Sequence, residues 1–530
     1  MPKPQPDRPI CQYLARAIFL CTSLSSLGLA FAQQTKTNTD DVARAIRDAA
    51  LNHSQIMDMI GYLTEVTGPR LTGSPNLERA EEYARDRLRE WGLANAHLEA
   101  WGPFGRGWSL EGFTANILSP GFSPLIAYPK AWSPATNGVI RRDVVFLDVK
   151  TAADLAKYQG KLKGKIVLFS PARRIDPLFE PPAQRQTAED LLRLSNAEPP
   201  SDSQPFRLTP EQRSAEDLDY RKWQLIQSEG AAVVLQPSFR DGGTVYVTAA
   251  TVPSPADVPF EKRTQAWDLS KPAVTPQVNV AAEHYNRIVR LIERGVPVQL
   301  EINIAARFYD DDPMSYNVIA EIPGTDLKDE VVMIGGCIDS WHAGTGATDN
   351  AAGAATALEV IRILQSLGAK PRRTIRIGLW SAEEQGARGS RAYVAAHLAA
   401  SPEADKFDAY FNFDYGTGRI RGIFLQGNRA AMRILRASLT QLNDPAVSTL
   451  SLAGVGASDH ISFDQVGLPG FQWIRDYMEG HNTRAPHTNM DTYDHVLEDD
   501  LKQSAATAAF VIYNLAMLDE RLPRKPRPSK

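Results

Sequence analysis

Acidic, imidazole and thiol side chains recur in this 530-residue chain at spacings that suit divalent-metal chemistry. The run GGCIDSWHAGTGATDNAAGAA, residues 335–355, holds one thiol, Cys337, and two carboxylates, Asp339 and Asp349, with Asn350 beside the second. WSAEEQGARGS, residues 380–390, adds adjacent glutamates, Glu383 and Glu384, which repel each other unless a cation or a shared proton compensates. One of the two is placed to ligate a metal and the other to take a proton from water. Asp414 closes DAYFNFD, and Asp476 with Tyr477 follows FQWIR. Four of the nine histidines lie between His460 and His495, and His487 sits in an irregular loop between Pro486 and Thr488. An inventory of Asp, Glu and His favours zinc or a similar ion. Two metals sharing a bridging carboxylate would stabilise an attacking hydroxide and a carbonyl oxygen while a glutamate accepts the water's proton, which is the chemistry of amide hydrolysis.

Those residues need elements to position them. Beyond roughly Val296 the pattern alternates strand and helix: EVVMIGG, then AAGAATALEVIRILQSLG, RTIRIGLW, a helix through Ser390 to Ala400, DAYFNFD, IRGIFLQG and GFQWIRD. This predicts an α/β fold with a mixed, mostly parallel sheet flanked by helices. Ligands of such sheets gather beyond the carboxyl ends of the strands, where Cys337, Asp339, Glu383, Glu384, Asp414 and Asp476 all fall. Asp349, at the start of the helix that follows the first of these strands, points the same way. Asp459 and His460 are placed to line the cleft, and Asp476 and Tyr477 to meet a substrate. His342 follows Trp341 in the Cys337 loop and reads equally as a surface group or a neighbour of the site.

The rest of the chain divides by texture. Lys3, Arg8 and Arg16 precede an apolar run from Ala17 to Leu29 that ends in Ala30-Phe31-Ala32, the pattern of a secretory signal over 1–32, too short and too rich in serine for a membrane anchor. Cys11 and Cys21 would leave with it, so Cys337 remains alone and no intramolecular disulfide forms. NLERAEEYARDRLREWG, residues 76–92, has the apolar stripe of a scaffold helix. From about Gly121 short β-rich runs and proline turns take over, with a strand in GKLKGKIVLFSP and a helix, glycine stop and strand in RKWQLIQSEGAAVVLQP. Asp176 to Leu218 shows no sustained period and reads as a long exposed excursion. The balance of 58 basic against 62 acidic residues, net −4, gives no field for nucleic acid.

The motifs GG-x-IDSW, GTGATDNAAG, RTIRIGLWSAEEQGARGSRAYV, FNFDYGTGRIRGIFLQGN and HTNMDTYDH together resemble the co-catalytic zinc exopeptidases that include carboxypeptidase Q and bacterial aminopeptidases. The likeness is greatest to the carboxypeptidase Q-like branch, with its inserted protease-associated domain, a small β-rich α/β module. It implies an N-terminal part of the peptidase domain at 33–117, the inserted module at 118–295 and the rest of the catalytic domain at 296–522, while the basic, proline-rich tail at 523–530 reads as disordered. It further implies that Asp349 bridges two zinc ions, that Glu383 is the general base and that Glu384 and His487 complete one metal site. Asp414 belongs to the other site, with Asp339 orienting its first ligand.

That first ligand is histidine in the family and Cys337 here. A thiolate ligates zinc well at about 2.3 Å, but its sulfur lies nearer the backbone than an imidazole nitrogen would. The alternatives are a one-zinc centre built on Asp349, Glu384 and His487, as in the related glutaminyl cyclases, or a peptidase-fold binding protein with weakened or absent turnover. The sequence therefore predicts an exported, periplasmic or secreted metallo-exopeptidase hydrolysing dipeptides or short peptides, with two zinc ions by the resemblance or one given Cys337. Expected partners are a short peptide and at most a second copy of the chain in a homodimer. Nucleic acid and stable membrane insertion after signal removal are not expected. G-x-S-x-G and H-E-x-x-H do not occur, which disfavours a nucleophile-elbow serine hydrolase and a thermolysin-like zinc site.

Overall fold

The β-branched runs and the small-residue stretches between them resolve, in a computed structural model, into two eight-stranded sheets. The structure describes residues 40–525 except 178, 180, 182, 201–207, 415 and 477–483. The expected signal over 1–32 and the substrate residue Tyr477 lie outside the described residues.

The first sheet is built from β1 (Ala94–Trp101), β2 (Ser315–Ile322), β3 (Leu327–Cys337), β4 (Arg373–Trp380), β5 (Phe407–Asn412), β6 (Ile420–Phe424), β7 (Thr449–Ser451) and β8 (Gly470–Arg475). Their spatial order is β1-β2-β4-β3-β5-β8-β6-β7. The central strands β4, β3, β5 and β8 run parallel, and β1, β2 and β6 pair antiparallel with their inner neighbours. The sheet is thus mixed with a parallel centre, so the carboxyl ends of β4, β3, β5 and β8 share one edge.

Side chains of β3 alternate between two cores. Val332 and Ile334 face one that also holds the helices Ala352–Ser366 and Glu498–Met517, while Met333 faces a second with Tyr393 and Phe463. The helix Ala352–Ser366 buries nearly its whole surface, because Ala352, Gly353, Ala354, Ala355 and Ala357 let its first turns lie close against the sheet. That closeness fixes the loop before it, which carries Asp349.

The second sheet spans Gly107–Tyr309, taking in residues on both sides of 118–295, and leaves and rejoins the first unit through the long antiparallel strands Gly107–Ser119 and Gln299–Tyr309. The predicted helix, glycine stop and strand appear as Pro210–Glu229, Gly230 in the left-handed conformation and Val233–Pro237.

The excursion expected over Asp176–Leu218 is not a free loop in its described part. A helix with a Thr187–Asp190 capping box covers Ala188–Ser195 and lies against β7, and Arg185 is tied to the first unit by ion pairs. The tail is held as far as Lys525, whose Nζ reaches Asp464 at 2.6 Å.

Candidate metal centre

The parallel centre of the sheet brings Cys337 to the end of β3, the pair Glu383–Glu384 past the end of β4 and Asp414 past the end of β5. Two groups of ligand atoms result. Asp349, Glu384 and His487 offer atoms that all lie within 4.8 Å of one another, and so do Cys337, Glu383 and Asp414. In the first group His487 Nε2 is 3.0 Å from Glu384 Oε2 and 3.2 Å from Asp349 Oδ2.

Buried contacts hold these side chains in place. Asp339, wholly buried, accepts the backbone N–H of Glu383 at 3.2 Å and of Glu384 at 3.3 Å, and the Thr72 hydroxyl at 3.0 Å. It therefore fixes the glutamate turn, whereas the resemblance has it orient the ligand at position 337. Asp491 accepts the Thr348 amide at 2.6 Å and its hydroxyl at 2.8 Å, pinning the turn that carries Asp349. Buried Arg70 donates to the carbonyls of Ile338, Leu63, Thr345 and Gly346 and so closes the Cys337 loop on itself. Gly346, at φ 65°, is needed there because a β-carbon would collide with Ser340.

Two contacts were missed in the sequence. Trp341 Nε1 donates to Glu384 Oε2 at 2.7 Å, and the Tyr246 hydroxyl, from the second sheet's unit, lies 3.0 Å from His487 Nδ1. The first could be suspected only from a tryptophan in a metal loop. The second joins residues 241 apart.

The electrostatics suit a cation. Burial, with Asp414, Asp459 and Glu384 nearby, pushes Glu383 well above the ordinary carboxyl range. Burial raises Glu384 to about 8 against the opposing pull of His487, and raises Asp339 to about 6. Burial works against charge on His487, but Glu384 and Asp349 hold its proton to well above the usual imidazole pKa. Glu384 Oε1 is buried with no hydrogen-bond partner. An orphaned buried carboxylate oxygen beside an imidazole and a second carboxylate fits zinc as a ligand set.

The Cys337 group fits less well. Asn350 Nδ2 donates to Cys337 Sγ at 3.2 Å, and the Ser458 hydroxyl donates to Asp414 Oδ2 at 2.5 Å. Burial, then Asp414 and Glu383, push the thiol well above its ordinary pKa, away from the thiolate that a metal needs.

Three residues weighed for the cleft are held by contacts of their own. Asp476 is buried, and its carboxylate accepts from Arg185 and Arg421, each at 2.9 Å, and from the Gln186 amide at 3.2 Å, so it closes an ion cluster. His460 is wholly buried, and its Nε2, 3.0 Å from the Val455 carbonyl, braces that loop. His342 Nε2 bonds the Pro129 carbonyl at 2.9 Å, and burial lowers its pKa to about 4.

Residues 317–512 match the model of peptidase family M28. The chain is 27% identical over 496 residues to carboxypeptidase Q of Mus musculus, covering 92% of each. In fold it is similar to the peptidase M28 precursor of Shewanella amazonensis, at TM-score 0.65 and 23% identity over 93% of this chain and all of that one. It is also similar to a zinc aminopeptidase of Bacillus subtilis, at TM-score 0.53 and 19% identity over 90% and 96% of the two chains. These likenesses define the class as metallo-exopeptidase. Within that class residues 317–512 carry the match to peptidase family M28, and the likeness over nearly the whole chain is to carboxypeptidase Q.

Proposed function

We propose that the chain is an exported exopeptidase that hydrolyses dipeptides or short peptides, with one zinc ion held tightly by Asp349, Glu384 and His487 and with Glu383 as general base. The observation that carries this reading is the mutual approach of those three ligand atoms to within 4.8 Å, with Glu383 next to Glu384 in the chain. A zinc ion bound there would supply Lewis acidity, lowering the pKa of a water and polarising the peptide carbonyl. Glu383, whose proton affinity burial and neighbouring carboxylates raise, takes a proton from water and passes it to the leaving amine. Asp339 keeps Glu383 at its station through the backbone amide. Trp341 steadies Glu384 and Tyr246 steadies His487.

A single tight ion is favoured by the division of the ligand atoms and by the state of Cys337. Its sulfur accepts a hydrogen bond from Asn350 in a setting that keeps the thiol protonated, so the position of the family's histidine holds metal weakly. The relatives named carboxypeptidase and aminopeptidase support removal of terminal residues as the reaction class. Export is supported by the signal-like sequence of residues 1–32, and among the described residues no helix is long and apolar enough to cross a membrane. The test is zinc analysis of the purified protein with amino-acid release from a dipeptide panel. Chelator-sensitive release is expected, and metal-free protein with no release would overturn the reading.

A further inference from the structure

His487 stands in the left-handed region, at φ 61°, which a histidine adopts only when its surroundings hold it. What holds it is a segment of the second sheet's unit. Val247 N–H donates to the His487 carbonyl at 2.8 Å, Val245 N–H donates to Asn489 Oδ1 at 2.7 Å, and Tyr246 forms an antiparallel bridge with Thr488. The Tyr246 ring stacks on the imidazole, with centroids 5.3 Å apart and planes 24° from parallel, and its hydroxyl meets Nδ1 at 3.0 Å.

Tyr246 is itself fixed on the opposite side. Its N–H donates to Ser238 Oγ at 3.0 Å, its carbonyl accepts from Asn279 Nδ2 at 2.8 Å, and Phe239 packs 4.1 Å from its ring. A histidine that gives Nε2 to a metal must carry its proton on Nδ1, and that N–H needs an acceptor to fix the tautomer and the ring plane. Among the described contacts the acceptor is the phenolic oxygen of Tyr246, contributed by the other unit.

We propose that Tyr246 is a positioning residue of the metal centre, so that the second sheet's unit sets zinc affinity from outside the catalytic sheet. This rests on the reading of Asp349, Glu384 and His487 as the zinc site. Tyr246→Phe keeps the stacked ring and removes only the acceptor. Zinc affinity of the full chain, measured by competition with a chromophoric chelator, should fall about 10–100-fold. The Co(II)-substituted protein should show a shifted visible band, and the melting temperature of the zinc-free protein should not change.

His487→Ala, measured alongside, separates the two readings. If it leaves zinc affinity unchanged, the zinc site is wrongly assigned. If it weakens zinc while Tyr246→Phe stays within about twofold of wild type, the role of Tyr246 fails alone. A fall in zinc-free melting temperature large enough to account for the lost affinity would also overturn the proposal, because Tyr246 would then be a general packing residue.

Discussion

Asn350 Nδ2 lies 3.2 Å from Cys337 Sγ and also donates to the carbonyls of Phe413 at 2.8 Å and of Cys337 at 3.3 Å. The amide thereby ties the ends of β3 and β5 to the turn that carries Asp349, and it presents a donor, not a lone pair, to the sulfur. An imidazole at position 337 would reach past that amide toward Asp414. Cys337→His should raise zinc content from about one to about two equivalents and increase turnover. Metal analysis and dipeptide kinetics on the same preparation check this, and unchanged zinc with unchanged rate counts against it.

Glu383→Gln removes the proton acceptor without removing a ligand of the Asp349, Glu384 and His487 group. Turnover should drop by about 10²–10⁴ while bound zinc stays the same. Loss of zinc together with activity would reassign Glu383 as a ligand.

Arg185 binds Asp476 at 2.9 Å and Asp500 at 2.7 Å, with Arg419 and Arg421 completing the cluster. Both aspartates are buried, while the Arg185 side chain is 44% exposed, which limits the worth of its bonds. Arg185→Ala should loosen the helix Ala188–Ser195 from β7 by about 1–2 kcal/mol. Faster hydrogen exchange confined to residues 185–200 is the expected readout, and unaltered exchange there contradicts the clamp.

The central architecture was legible because buried parallel strands are continuous apolar runs, and because acidic residues just past such runs collect at one edge of the sheet. Cys337, Glu383, Glu384 and Asp414 follow from that logic. Asp476 obeys the same rule of position, but Arg185, Arg419 and Arg421 arrive from distant segments with no local pattern and take its carboxylate. His460 lies in a run rich in polar residues, yet the short helix it begins packs against β8 and β5, and its Nε2 meets the Val455 carbonyl. Tyr246 and Trp341 reach His487 and Glu384 from segments distant in the chain, which no spacing encodes.

Burial raises the Asp408 carboxyl from its ordinary 3.8 to about 6, against the help of the Leu522 amide and of Arg373. Between about pH 4 and 6 the folded chain keeps this proton while the unfolded chain has lost it, so the stability this group contributes is present below about pH 4 and lost as pH rises through about 6. The change amounts to roughly 3 kcal/mol. Asp408→Asn, which keeps an acceptor for the Leu522 amide, should match wild type near pH 4 and melt progressively higher than wild type toward pH 7. A difference that does not vary with pH would contradict the assignment.

The most direct measurement of the central claim is the zinc stoichiometry of the full chain after gel filtration, for the wild type and for a variant carrying both Glu384→Gln and His487→Ala. The account predicts about one tightly held equivalent in the wild type and none in the variant. Zinc retained at wild-type level when both ligands are gone would contradict it.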